Sequence, residues 1–132
     1  MLLRNVHITA VQGLYANDNF SARVTVANVP TGLTVTRAWW TVKAAPTDAD
    51  SSLLQKNITT NPATGAGQIV ANGSTNQTAI LQFDFTPTDT NLLTPNRTYF
   101  FDVQVQYSDN TIRTVIGDSD MTPGQAITQA VA

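Results

Sequence analysis

The 132-residue chain has no cysteine, no glutamate, a single histidine and few charges of either sign. Without cysteine there is no disulfide framework and no thiolate metal site, and His7 alone makes no histidine cluster. Lys and Arg number 7 against 9 acids, all of them Asp. Charged residues are therefore 12% of the chain, about half of the usual ~25%. A formal net charge of −2 gives no electrostatic footprint for nucleic acid or for an anionic membrane surface. No apolar run approaches the ~18 residues of a membrane span. The opening residues alternate around Arg4 rather than forming the apolar core of a signal peptide.

What fills the chain instead is threonine, 21 residues of it, beside an ordinary 42% of hydrophobic residues. Threonine favours strands, and the missing glutamate is a good helix former. The composition predicts an all-β domain with an uncharged polar surface. Asn-x-Ser/Thr triplets at Asn19, Asn57, Asn72, Asn76 and Asn96 follow from this abundance rather than marking glycosylation. The length suits one domain over 1–132, with a core from about 5 to 122 and a tail, 123–132, that is extended or partner-bound.

Alternation organises the chain. Phe20, Ala22, Val24 and Val26 share one strand face, and the turn residues Pro30 and Gly32 end that strand. The next strand, about 35–44, places Ala38, Trp40, Val42 and Ala44 on one side and Arg37, Trp39, Thr41 and Lys43 on the other. A short strand is expected at 54–60, and the glycine-rich segment 61–73 reads as a hairpin loop with one short or edge strand. Leu81, Phe83 and Phe85 define the inner face of a strand over 78–86. N-cap candidates before Leu92–Leu93 then predict one helical turn near 87–93 that crosses between sheets. The strongest strand, 99–107, sends Tyr99, Phe101, Val103, Val105 and Tyr107 one way and Phe100, Asp102, Gln104 and Gln106 the other. Asp109–Asn110 turns it back into a hairpin, and a separate edge strand follows Gly117.

Seven or eight short strands with these turns predict a two-sheet antiparallel sandwich. Tyr99, just after the crossover, stands where immunoglobulin-like sandwiches place a tyrosine whose hydroxyl turns back to the backbone, and Trp40 stands where they bury an indole. The expected core is Trp40, Val42, Phe83, Phe85, Tyr99, Phe101, Val103 and Val105.

No constellation of catalytic residues emerges. Asp48/Asp50 and Asp118/Asp120 are D-x-D pairs in loops, but neither extends to a calcium-loop pattern, and Asp is a common turn residue. Asp84 and Asp102 fall on strand faces expected to look outward, not on two walls of a cleft. Serine nucleophiles lack a partner base, and no Lys-Ser/Thr follows Gly65, Gly67 or Gly73 to make a phosphate loop. No catalytic residue, metal or cofactor is assigned, and a non-enzyme is expected. The binding question rests on Trp39 and Phe100, candidate interface residues, since each neighbours inward-facing aromatics and so points outward. An exposed Trp and Phe on one sheet would make a patch for a protein partner or a sugar ring. The alternative is that the N-terminal strand, the tail or loops of the same domain cover them.

The run Ala38-Trp39-Trp40-Thr41-Val42-Lys43, with Asp48-Ala49-Asp50 and Leu54-Gln55-Lys56, resembles small immunoglobulin-like structural proteins of tailed bacteriophages. Phe83-Asp84-Phe85-Thr86-Pro87-Thr88-Asp89-Thr90, Tyr99-Phe100-Phe101-Asp102-Val103-Gln104 and Arg113-Thr114-Val115-Ile116-Gly117 extend the likeness to the domain type named for the baseplate upper protein. The resemblance covers about residues 5–128; the Trp39–Trp40 doublet and the Ala/Gln-rich tail depart from it. It implies a non-enzymatic virion component, an adaptor or decoration packed on capsid, tail or baseplate proteins. Such a component works in many copies or as a homo-oligomer and is assembled in the host cytoplasm, with no nucleic-acid or membrane partner. The alternative, from the aromatics, is a carbohydrate-binding module that assists adhesion to the host surface.

Overall fold

The computed structural model describes residues 2–3, 6–10, 18–45, 47–49 and 53–123, the backbone alone at 2–3, 6–10 and 118. The tail 124–132, Asp50 and the side chains of His7 and Asp118 lie outside the described residues. Strands β1 (Leu2–Leu3), β9 (Ile112–Met121), β8 (Tyr99–Tyr107), β4 (Val35–Lys43) and β5 (Leu54–Ile58) form one sheet in that order. The other sheet orders β2 (Val6–Ala10), β3 (Phe20–Val26), β7 (Ala79–Phe85) and β6 (Gly67–Asn72). Every pairing between strands is antiparallel. Eight strands have five residues or more, and β1 adds a two-residue rung at the edge of β9. Leaving β1 aside, the two layers carry the ABED and GFCC′ strand orders of an immunoglobulin-like sandwich.

Alternation decides which side chains meet between the layers. Phe20, Ala22, Val24 and Val26 of β3, and Ala79, Leu81, Phe83 and Phe85 of β7, are all buried, and they face Ala38, Trp40 and Val42 of β4. Trp40 makes edge-to-face contacts with Phe83 and Phe85, each at 5.4 Å between ring centres, and stacks on Phe101 at 5.0 Å and 16°. All the expected core residues are buried except Phe101, which is half-buried and covers the indole from the side.

Bulges let the strands bury residues that strict alternation would expose. Thr36 is an extra residue in β4 against β8, so Val35 turns inward as Ala38 does. Val115 is an extra residue in β9, which places both Val115 and Ile116 in the core. With these irregularities β9 runs unbroken to Met121, so the hairpin strand and the expected separate edge strand after Gly117 are one element. Gly67, at φ +115°, starts β6; a Cβ there would come within 2.0 Å of the Gln82 carbonyl oxygen, so only glycine fits.

Between β7 and β8 the chain crosses sheets through α1 (Pro87–Thr90), the expected single turn. Thr86 is its N-cap: the Asp89 N–H donates to Thr86 Oγ1 at 3.3 Å, and the Thr86 N–H donates to Asp89 Oδ2 at 2.8 Å. Thr90 Oγ1 donates to the Asp18 carbonyl at 2.7 Å, fixing the turn to the start of β3. The Thr94 N–H donates to Tyr99 Oη at 2.7 Å, the backbone contact expected of the corner tyrosine.

Trp40→Ala is expected to cost about 3–5 kcal/mol, because it empties the centre of the inter-sheet layer. Tyr99→Phe keeps the ring and loses only the corner hydrogen bond, about 1 kcal/mol. Urea unfolding of the two variants measures both; equal losses would mean that the corner hydroxyl matters as much as the buried indole.

Candidate binding face of the five-stranded sheet

The outward face of this sheet is built by the alternate residues of β5, β4, β8 and β9. Register places them in rows across the strands. Asn57, Trp39, Gln104 and Thr114 form one row; Gln55, Thr41 and Asp102 form the next; Arg37, Gln106 and Ile112 form the row on the other side. Trp39 therefore points away from the core, as its parity with Trp40 predicts, yet it is half-buried rather than fully exposed. Its flanks are the two amides, Asn57 and Gln104, and the Arg37 guanidinium lies 6.0 Å from the ring centre. Gln104 Nε2 donates to Thr114 Oγ1 at 3.2 Å, and Gln55 Nε2 donates to Thr41 Oγ1 at 3.0 Å. These bonds hold the neighbouring side chains across the face, and Thr41 is buried beneath them.

Phe100 is exposed at 36%, between Lys43 of β4 and Asp120 of β9. It lies two rows beyond Trp39 on the same face, about 14 Å along the strands at ~3.4 Å per residue. The Thr41–Asp102 pair stands between them. Half-buried Trp39 and exposed Phe100 are thus two separate rings on this face, not the single patch expected from sequence. β1 lies beyond β9 at the sheet edge and does not cover Trp39. Ile112, 58% exposed in the Arg37 row, completes the upper apolar group. It was not singled out from sequence, although the parity of the hairpin after Asp109–Asn110 carries that signal.

The outward face of the four-stranded sheet differs. Ser21 Oγ donates to Asp84 Oδ1 at 2.7 Å, Gln82 Nε2 donates to the same oxygen at 3.1 Å, and Arg23 Nε donates to Gln82 Oε1 at 3.0 Å. These polar groups satisfy one another; on the same face Ile80 of β7 is half-buried and Val70 of β6 is exposed at 44%. Beside β6 lies an open depression of about 400 Å³ lined by neutral residues, among them Gln68, Val70, Asn72 and Thr75.

Of the two acidic pairs, Asp48 and Asp120 have described side chains. Asp48 Oδ2 accepts from the Ala45 N–H at 3.1 Å and so closes its own turn, and Asp120 lies in β9. Among the described residues no three His or Asp side chains lie close enough together to hold a metal ion. Asp109 accepts from the Thr111 hydroxyl and N–H, which lower its pKa below the ordinary carboxylate value.

One ionic group is enclosed. Lys56 of β5 points between the layers, where it pairs with Asp89, donates to the Gly65 carbonyl and lies 5.8 Å from the Phe85 ring centre. The two side chains are only 11% and 16% exposed. Burial by itself would raise the Asp89 pKa, but the hydrogen bonds from Lys56 and Thr86 and the Lys56 charge outweigh it and hold the pKa below normal. Asp89 thus joins the helix cap, the edge strand and the 63–67 turn.

Comparison with protein-family models found no match, and comparison with curated proteins found none either. The class established for the chain is the one its strand order defines, an all-β immunoglobulin-like sandwich.

Because the folded pKa of Asp89 lies below its unfolded value, its contribution to stability is complete above the ordinary carboxylate range. It is lost as pH falls through the folded value. Asp89→Asn should cost about 3 kcal/mol at neutral pH, since it leaves Lys56 enclosed without a counter-ion. It should also flatten the acid limb of the stability curve. Thermal melts of both proteins between neutral and strongly acid pH test this; an unchanged acid limb would assign the acid sensitivity to other carboxylates.

Proposed function

We propose that this chain is a non-enzymatic structural component of a tailed bacteriophage virion, an immunoglobulin-like adaptor or decoration domain packed on capsid, tail or baseplate proteins. The observation that carries the reading is the contrast between the two outer faces. One is centred on the hydrogen-bonded ladder of Ser21, Arg23, Gln82 and Asp84, with aliphatic Ile80 and Val70 beside it; the other presents the aromatic Trp39 with Arg37, Ile112 and the more distant Phe100. Trp and Arg are the residues that most often anchor protein interfaces. The low charge of the chain supports the same reading, because a neutral polar surface is covered by a neighbour with little charge to desolvate. The sequence resemblance supplies the setting, a symmetric particle in which such domains are repeated.

A carbohydrate-binding module is the second reading, favoured by the amides of Asn57 and Gln104 on either side of Trp39. A sugar needs an open ring face on which to stack, and Arg37 lies over the Trp39 ring. That contact ranks the protein interface first.

Mass spectrometry of purified virions should find the polypeptide; its absence would overturn the virion reading. Trp39→Ala should lower incorporation at least roughly tenfold with little change in melting temperature, whereas Trp40→Ala should chiefly unfold the domain. Equal losses of melting temperature would show that Trp39 serves folding instead. A glycan array bound by the parent and lost in Trp39→Ala would promote the second reading.

A further inference from the structure

We infer that the outward face of the five-stranded sheet packs on the same face of a second copy of this chain, about a two-fold axis that crosses the strands at the Trp39 row. This rests on the reading of that face as an interface and names its occupant.

The argument comes from the register of the rows. Arg37 lies one row above Trp39, and Asp102 lies one row below it on the adjacent strand. A half-turn about an axis in the plane of the face, running across the strands through Trp39, lays each upper row over the lower row of the other copy. Arg37 of each copy then meets Asp102 of the other, giving two cross-interface ion pairs around a central pair of Trp39 rings. An axis along the strands would instead lay each Arg37 row on the other, bringing like charges together. The Arg37 and Asp102 rows are thus complementary in one orientation, as an isologous interface requires, while Lys43 and Asp120 lie one row further out beside Phe100.

Size agrees with this. The four strands lie about 4.8 Å apart; with β5 about 17 Å long and the other three about 30 Å, they present roughly 500 Å² in flat projection. As accessible surface that approaches the ~800 Å² per partner of a standard interface. Two sheets laid face to face with their strands aligned make one of the two common sheet-on-sheet packings. The alternating Trp39, Thr41, Gln55, Asn57 and Gln104 offer a centre with no formal charge to bury.

The test is sedimentation of the full chain over a concentration series. The parent should dimerise, and Arg37→Asp and Trp39→Ala should each raise the dimer dissociation constant at least roughly tenfold with melting temperature nearly unchanged. Arg37→Asp and Asp102→Arg should each be monomeric alone, yet form a heterodimer when mixed, since only the mixed two-fold pair restores both ion pairs. Asp102 also interacts within its own domain. If Asp102→Arg fails to fold by circular dichroism, the Arg37→Asp and Trp39→Ala results decide. A parent that stays monomeric at hundreds of micromolar, or an undiminished Arg37→Asp dimer, overturns the inference. A monomer whose virion incorporation still depends on Trp39 overturns the dimer and leaves the virion reading standing. A Trp39-dependent dimer missing from virions does the reverse.

Discussion

Everything in this domain is referred to the indole of Trp40. It comes from the five-stranded sheet, meets Phe83 and Phe85 of the other sheet edge-on and is covered by Phe101. Antibody-type domains place a disulfide against this tryptophan, its second cysteine two residues after the corner tyrosine. Here that position is Phe101, whose ring stacks on the indole within the same sheet, and the sheets are joined instead by the edge-on contacts of Trp40 with Phe83 and Phe85. The exchange fits a chain without cysteine. It makes inter-sheet cohesion depend on ring packing, worth about 0.5–1.5 kcal/mol per aromatic pair beyond burial itself. The Trp40 Nε1–H, buried with no hydrogen-bond partner among the described residues, is the cost of this arrangement.

Once Trp40 is fixed inward, the pleat leaves Trp39 only the other face. The outer surface is therefore not an independent invention of the sequence but the complement of its core. Rings that a packed core could not have admitted are displayed in register with the amides and threonines of neighbouring strands. The corner at Tyr99 and the cap at Thr86 and Asp89 then hold the inter-sheet crossing, so that β8 enters the sheet in the register that builds those rows.

Much of this was legible in the residues. Period-two patterns located β3, β4, β7 and β8 and their inner faces, and Tyr99 announced its own hydrogen bond. The bulges at Thr36, Val70 and Val115 were not legible. An extra residue has no compositional mark when its neighbours remain β-formers, and only pairing reveals it. For the same reason the separation of Trp39 from Phe100 could not be read from sequence: parity assigns a face, whereas distance across that face requires the register between strands. Lys56 is a different case. Alternation through Leu54, Lys56 and Ile58 points it inward, but a lysine on an apolar stripe makes sense only when Asp89, more than thirty residues later, is known to meet it.

That lysine has a consequence for chains held close together. β5 ends its sheet, and a terminal strand normally invites the sheet of a neighbour to continue it. An inward-pointing charge on such a strand is tolerated only while its own loop and helix turn enclose it. A continuous cross-molecular sheet would have to disturb that enclosure or strand the ammonium in an apolar layer. A domain carrying this residue can be crowded with copies of itself without its five-stranded sheet being continued through β5.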